Sequence, residues 1–342
     1  MNILKRLSTN NKNSTKALIL FSAFVLLIVL FVCSICVGAV NIPLVKLFKI
    51  ITNANTEQSL DQIFYFVRLP RSLAAMFAGM ALAMSGVILQ TVLNNPMCSP
   101  NIIGVNSGAG LFMIISTAFF PTMSAFSPVA AFLGSLFAVS VVYFIAKTRG
   151  SSKLSIVLGG IAVSSLLSAF TDAVITIVPD AKIARVDFMI GSFAGVTIEN
   201  IKFALPYIIT GIIISLILCV DINILSLGDS MATSLGLKVS LVRAVFLVTS
   251  ALLAGAAISL GGLIGFVGLI VPHISKMLIG TDHKYLLPLT TILGGAFCLL
   301  CDILSRVLFI PFEIPVGIIM SLLGSPFFIW LILTRKRRST LD

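Results

Sequence analysis

AGMALAMSGVILQTVLNNPMCSPNIIG, residues Ala78 to Gly104, aligns without a gap on AGAAISLGGLIGFVGLIVPHISKMLIG, residues Ala254 to Gly280. Ala78, Gly79, Ala81, Gly86, Pro96, Ser99, Ile103 and Gly104 meet identical residues at Ala254, Gly255, Ala257, Gly262, Pro272, Ser275, Ile279 and Gly280. Small residues recur in many membrane helices, and chance supplies some of these matches. The coincident proline and the terminal Ile-Gly point to an internal repeat. Each copy begins inside a long apolar run, and the runs set the fold class.

A helix needs about 20 apolar residues to cross the hydrocarbon core. Ten such runs stand between charged or Pro/Gly-rich breaks: Ala17 to Val40, Ser72 to Val92, Ile102 to Phe120, Pro128 to Ala146, Leu154 to Ile177, Phe203 to Val220, Leu241 to Leu260, Leu263 to Leu278, Leu286 to Leu308 and Pro315 to Thr334. The third and eighth are short or broken by Gly and Pro. The first is longer than the 7–15 apolar residues of a secretory signal and has no small-residue cleavage site, so it is expected to be a retained span. The composition agrees with a polytopic chain: of 342 residues 58% are hydrophobic and 10% charged, with a mean hydropathy of +1.14, whereas soluble domains carry about 25% charged residues.

The repeat copies start in spans two and seven. An offset of five spans turns one copy over relative to the other, which is the inverted repeat of many transporters. The fold class expected is therefore an all-α polytopic membrane protein of about ten transmembrane helices with an inverted five-helix repeat. Residues 1–16 and 335–342 would be cytoplasmic tails flanking a ten-helix domain at 17–334, with a cytoplasmic loop at 221–240.

The formal charge of +11 would suggest nucleic acid in a soluble protein. Here no nucleic acid is expected, and the cations report orientation instead. With the N-terminus inside, Lys5, Arg6, Lys12, Lys16, Lys147, Arg149, Lys153, Lys238, Arg243, Lys276, Lys284, Arg335, Lys336, Arg337 and Arg338 collect inside, 15 of 23. Lys46, Lys49, Arg68, Arg71, Lys182, Arg185, Lys202 and Arg306 fall outside. The bias supports N-in and C-in, and a multi-pass protein of the cytoplasmic membrane.

Twelve acidic residues and two histidines are too few for most acid/base or metal clusters, and no GxxxxGK[ST] phosphate loop occurs. The chain alone is not expected to be an enzyme, to bind ATP or to need a cofactor or metal. Cys33-x-x-Cys36 and Cys298-x-x-Cys301 have redox or zinc spacing, but both lie in apolar spans without further ligands and read as small packing residues.

Several ordered stretches together resemble the iron-chelate and cobalamin permeases of ABC importers, often called FecCD-type: RLPR at Arg68 to Arg71, Gly86 with Gln90, NNPMCSPNIIGVNSGAG at Asn94 to Gly110, IGFVGLIVPHI at Ile264 to Ile274, GTDHKYLLP at Gly280 to Pro288, DILSR at Asp302 to Arg306, and IPVGIIMSLLGSPFFIWLI at Ile314 to Ile332. The resemblance runs from about Arg68 to the C-terminus. It implies a ten-span subunit that pairs with a second permease, identical or a close relative, around a shared pathway. Two cytoplasmic ATPase subunits would supply energy, and an extracytoplasmic substrate-binding protein would deliver a ferric siderophore, or alternatively haem or cobalamin.

Two sites follow. In DINILSLGDSMATSLGLKVS, Asp221 to Ser240, a short helix is predicted with Asp229 as N-cap and Gly236 as its stop. Leu227, Met231 and Leu235 form one apolar stripe, which suits a partner groove or the membrane lipid surface equally. The resemblance makes Leu227, Gly228, Asp229, Met231, Ala232, Leu235 and Gly236 the ATPase coupling loop. Of the E-A-A-x-x-x-G pattern of ABC importers, Ala232 and Gly236 agree while Ser230 and Met231 depart.

Arg68 and Arg71 sit outside, before span two. A cation at a helix N-terminus opposes the macrodipole, so an acidic partner or headgroup anchoring would explain them. Arg306 lies at the outer end of span nine, one turn after Asp302, which can pair with it. The resemblance assigns Arg68, Arg71 and Arg306 to binding-protein docking. Asp172 and Asp302 could instead couple transport to an ion gradient, but both lie near the outer ends of their spans rather than at the midplane. His273 and His283 lack HExxH spacing.

Overall fold

The computed structural model describes residues 2–38, 41–52, 58–120, 126–148, 153–310 and 312–338. Arg149, counted among the inside cations, and tail residues 339–342 lie outside them. The described residues are helical: α1 (Asn2–Cys36), α2 (Leu44–Ile51), α3 (Gln58–Ile63), α4 (Leu69–Val92), α5 (Val105–Phe119), α6 (Ser127–Thr148), α7 (Lys153–Ile177), α8 (Ala181–Ile190), α9 (Ile198–Ile217), α10 (Cys219–Ser226), α11 (Asp229–Ser234), α12 (Val239–Gly261), α13 (Val267–Ile279), α14 (His283–Val307) and α15 (Val316–Arg338). A π-turn at Phe64–Arg68 leads into α4, and a 3₁₀ turn at Pro100–Ile103 precedes α5.

Among the described residues, seven stretches are long and apolar enough to cross a bilayer: Ser14–Cys36, Ser59–Val92, Ser127–Thr148, Lys153–Ile177, Ile198–Ile217, Val239–Gly261 and His283–Val307. Three shorter apolar helices, Val105–Phe119, Val267–Ile279 and Val316–Leu331, complete the set. Each of the ten apolar runs thus has a helical counterpart, and the chain is a multi-pass membrane protein. The two runs broken by Gly and Pro became the two shortest of these ten helices, 15 residues in α5 and 13 in α13. At 1.5 Å per residue α13 is only about 20 Å long, less than the hydrocarbon core.

Helix α4 is the axis of the bundle. Nearly every residue from Ala74 to Val92 is buried, and α4 packs on α12, α13 and α14. Small residues allow this: a Cβ added to Gly79 would strike the Gly294 backbone of α14, and one on Gly294 would strike Gly79. Without a hydrophobic drive between helices in lipid, such close backbone approach is what holds spans together. Ser85 and Ser250 hydroxyls meet at 2.7 Å across α4 and α12. Helix α1 instead leaves Leu18, Phe21, Phe24 and Val25 exposed, as a lipid-facing helix does.

Helices α4 and α14 are antiparallel, since Thr91 meets His283 at one end and Arg71 meets Asp302 at the other. Helix α12 starts near α11 through Arg243 and Asp229, so it runs against α4. The repeat copies share features only in part. Ile103 and Ile279 are both buried, and Gly104 and Gly280 both take positive φ, +83° and +86°. Gly86 lies inside α4, whereas its counterpart Gly262 ends α12 at φ +69°. Pro96 lies in a loop and Pro272 inside α13.

The break at Gly262–Phe266 is accommodated by α8, a helix that the apolar-run reading did not assign. Ser192 N–H donates to Gly261 O at 2.9 Å, and Leu263 N–H to Phe188 O at 2.9 Å. Backbone opened inside a membrane protein must find such partners. Short helices α2 and α3 likewise lie outside the ten apolar runs. Ile42, Leu47, Ile50, Leu60 and Phe64 pack with Ile35 into a small separate core.

Candidate functional site

The two expected sites occupy opposite ends of the bundle. At one end Arg68, Arg71 and Arg306 come together, as the sequence grouped them, but their side chains are buried rather than presented outward. Arg71 Nε donates to Asp302 Oδ1 at 2.9 Å and Nη1 to Glu313 Oε2 at 2.5 Å. Arg306 Nη2 pairs with Asp302 Oδ2 at 2.9 Å, which is the i,i+4 pair anticipated. Its Nη1 donates to Ser34 O at 3.0 Å and Val37 O at 3.1 Å, while Arg68 Nη1 donates to Val37 O.

The reason for burial is electrostatic. The last carbonyls of α1 have no partner within their own helix and carry its negative dipole end, and two guanidiniums satisfy them. Asp302, fully buried, sits between Arg71 and Arg306. Neither candidate ion-coupling carboxylate is therefore alone: Asp302 has two arginines, and Asp172 meets Arg185 at 2.5 Å.

At the other end the segment expected to couple to an ATPase forms α10 and α11. Gly228, at φ +100°, precedes α11, and Asp229 is its first residue. The expected N-cap hydrogen bond from Asp229 is absent, because its carboxylate instead meets Arg243 Nη2 at 2.7 Å and Lys153 Nζ at 3.2 Å. Burial pushes this carboxyl upward, but the bonds and charges of Arg243 and Lys153 outweigh it and hold Asp229 below the usual carboxylate range. Gly236 stops the helix as expected. At φ +83° it donates to Thr233 O at 2.9 Å, and Leu237 donates to Ala232 O at 3.0 Å, the paired bonds of a Schellman ending.

Ala232 is fully buried under α11, whereas Leu227, Met231 and Leu235 are 59%, 57% and 59% exposed. The segment is bolted to α7 and α12 on one side and offers an apolar stripe on the other.

The sequence reading missed what joins this segment to the core. Asn223 of α10 donates through Nδ2 to Asp282 Oδ1 at 3.0 Å. Its Oδ1 accepts from His283 N at 3.0 Å and faces His283 Nδ1 at 2.7 Å. An amide oxygen only accepts, so in the neutral ring the proton sits on Nδ1, and Nε2 accepts from the Thr91 hydroxyl at 2.9 Å. Three buried or half-buried side chains thus tie α10 to the start of α14 and the end of α4. The sequence signal was the DH pair in GTDHK, whose partner Asn223 lies 60 residues away.

The FecCD transport family matches residues 26–334. The Fe(3+)-citrate import system permease protein YfmD of Bacillus subtilis (strain 168) is 33% identical over 334 residues, covering 97% of this chain and 98% of its own. The hemin transport system permease protein HmuU of Yersinia pestis is 35% identical over 321 residues, covering 92% and 95%. A solved inward-facing conformation of a metal-chelate type ABC transporter superposes with a TM-score of 0.80 at 32% identity, covering 93% of this chain and 99% of that one.

Proposed function

The chain belongs to the FecCD transport family, and from that premise we propose that it is the permease subunit of an ABC importer carrying an iron chelate, a ferric siderophore or ferric carboxylate complex, driven by ATP hydrolysis in partner chains. Haem is the second reading, favoured by the likeness to a hemin permease. The observation that carries the proposal is the coupling segment. An exposed Leu227, Met231 and Leu235 stripe on a rigidly anchored element is what an ATPase groove requires of a lever.

Movement of α10 and α11 would reach α4 through Asn223, His283 and Thr91, and α4 touches the helices around it along its whole length. Alternating access follows if ATP-driven closure of the partners shifts this lever between two positions. The binding protein would dock at the opposite end, over the arginine cluster, whose guanidiniums would attract an acidic surface. The arginines would then act from beneath that face.

The purified chain should not hydrolyse ATP, and adding its ATPase should create activity stimulated by the loaded binding protein. Uptake that persists without an ATPase and collapses with an ion gradient would refute the assignment. Replacing His283 by leucine removes one hydrogen bond from Asn223 Oδ1, which keeps the backbone N–H of residue 283, and one from the Thr91 hydroxyl, which keeps Val87 O, at about 0.5–1.5 kcal/mol each. Stimulated ATPase activity should survive while uptake per ATP falls several-fold, measured in the same proteoliposomes. Equal loss of both activities would make His283 a packing residue only.

A further inference from the structure

Helix α13 is bounded by two backbone breaks. Phe266 precedes it at φ +66°, a left-handed conformation that is costly for a bulky residue, and Gly280 follows it at φ +86°. Between them Pro272 has no N–H, so Gly268 O lacks the donor that would stand four residues on. The donor comes instead from α4: Gln90 Nε2 donates to Gly268 O at 3.0 Å. The same amide accepts through Oε1 from Lys276 Nζ, one turn beyond the proline, at 2.7 Å. Gly86, one turn before Gln90, permits the approach, since a Cβ there would strike the Gly268 backbone. Gln90 is buried and Lys276 half-buried, and among the described residues no carboxylate pairs with Lys276. A carbonyl needs a donor and an ammonium needs an acceptor, and among side chains of this length glutamine alone carries both.

Thr91, the next residue of α4, meets His283, which Asn223 ties to α10. The last turn of α4 thus holds α10 through one side chain and α13 through its neighbour. Resting on the importer reading above, we propose that Gln90 is a positioning residue for transport: it fastens α13 to α4 on both sides of the proline, so that a displacement arriving from α10 through Thr91 moves α13 as a unit between its two breaks. Hinges are element-terminal positions that absorb such backbone changes, and Phe266 and Gly280 are so placed. A glutamine that merely packed would need neither bond. A lysine that merely snorkelled would turn its ammonium to water rather than to a buried amide.

The test uses the complete importer in proteoliposomes, with its ATPase and binding protein, supplied with ferric citrate, a ferric trihydroxamate and hemin in turn. It reads uptake per ATP hydrolysed beside the melting midpoint of the lone chain. Gln90→Met keeps the shape of the side chain and loses both bonds, so the midpoint should drop and uptake per ATP should fall about tenfold, the weight of two hydrogen bonds, while stimulated ATPase activity stays within about twofold. Lys276→Met cuts one tie and should lower uptake per ATP about threefold. Adding Pro272→Ala to Gln90→Met returns an N–H to Gly268 O inside α13. The midpoint should then recover but uptake per ATP should not, because α4 still lacks its hold. Recovery of both would make Gln90 a plug for the free carbonyl and overturn the proposal, as would undiminished coupling in Gln90→Met and Lys276→Met. An unaltered importer that moves none of the three iron compounds would strike the iron-chelate reading together with the proposal that rests on it, a failure told apart from the others because the wild type shows it too.

Discussion

Replacing Asp302 by leucine should destabilise the chain by about 3–5 kcal/mol, the cost of stripping one partner from a buried charge network. Asp302 is fully buried and holds Arg71 at 2.9 Å on one oxygen and Arg306 at 2.9 Å on the other. Without it Arg71 keeps only Glu313, and Arg306 keeps the α1 carbonyls of Ser34 and Val37 and the Ser34 hydroxyl. Those acceptors are dipoles rather than charges, so they offset part of the loss only. Removing Arg306 as well should cost less than the two single changes added together, because the residues share one network.

The melting midpoint of the detergent-purified chain reports this without any partner. Arg71→Glu should also lower that midpoint, since it sets a carboxylate against Asp302 and Glu313. A lone Arg71→Glu chain that melts like the wild type, and differs only in affinity for the binding protein, would return this arginine to a simple docking role. The arrangement also gives these cations a structural role. They close the C-terminal end of α1 and clamp it to α4 and α14.

The spans were legible because nothing soluble supports ten apolar runs of that length, and the two runs interrupted by glycine and proline were visibly weaker. What was not legible came from long-range packing. The sequence placed Asp302 one turn before Arg306, but Arg71 joins them across 231 residues only because Gly79 and Gly294 bring α4 and α14 into backbone contact. Asn223 and His283 are unremarkable singly, and their meaning appears when α10 is folded against α14. Helix α8 escaped because its ten residues, AKIARVDFMI, mix charge with apolar positions and serve to support a broken backbone rather than to cross lipid. In the loop at 221–240 the stripe and the Gly236 stop were readable from spacing. Asp229 was misread as a cap because its partners Arg243 and Lys153 lie on other helices.

Met231→Asp and Leu235→Asp should weaken ATPase binding by two to three orders of magnitude while leaving the chain itself intact. In the isolated chain both side chains are more than half exposed, so a carboxylate there stays in water and costs the fold little. Seated in a protein groove, the same carboxylate would lose its hydration without gaining a partner, a penalty of several kcal/mol, and each 1.4 kcal/mol is about tenfold in affinity. Ala232→Asp provides the contrast. Ala232 is fully buried within the chain itself, so this change should lower the yield of folded chain before any partner is added. Co-purification of the ATPase with each variant, alongside the melting midpoint of the lone chain, separates the two effects. Full ATPase retention by both stripe variants would mean that the stripe rests on lipid headgroups, where an aspartate at the aqueous boundary carries no comparable penalty, and the lever would then have to engage its motor through some other face of α10 or α11.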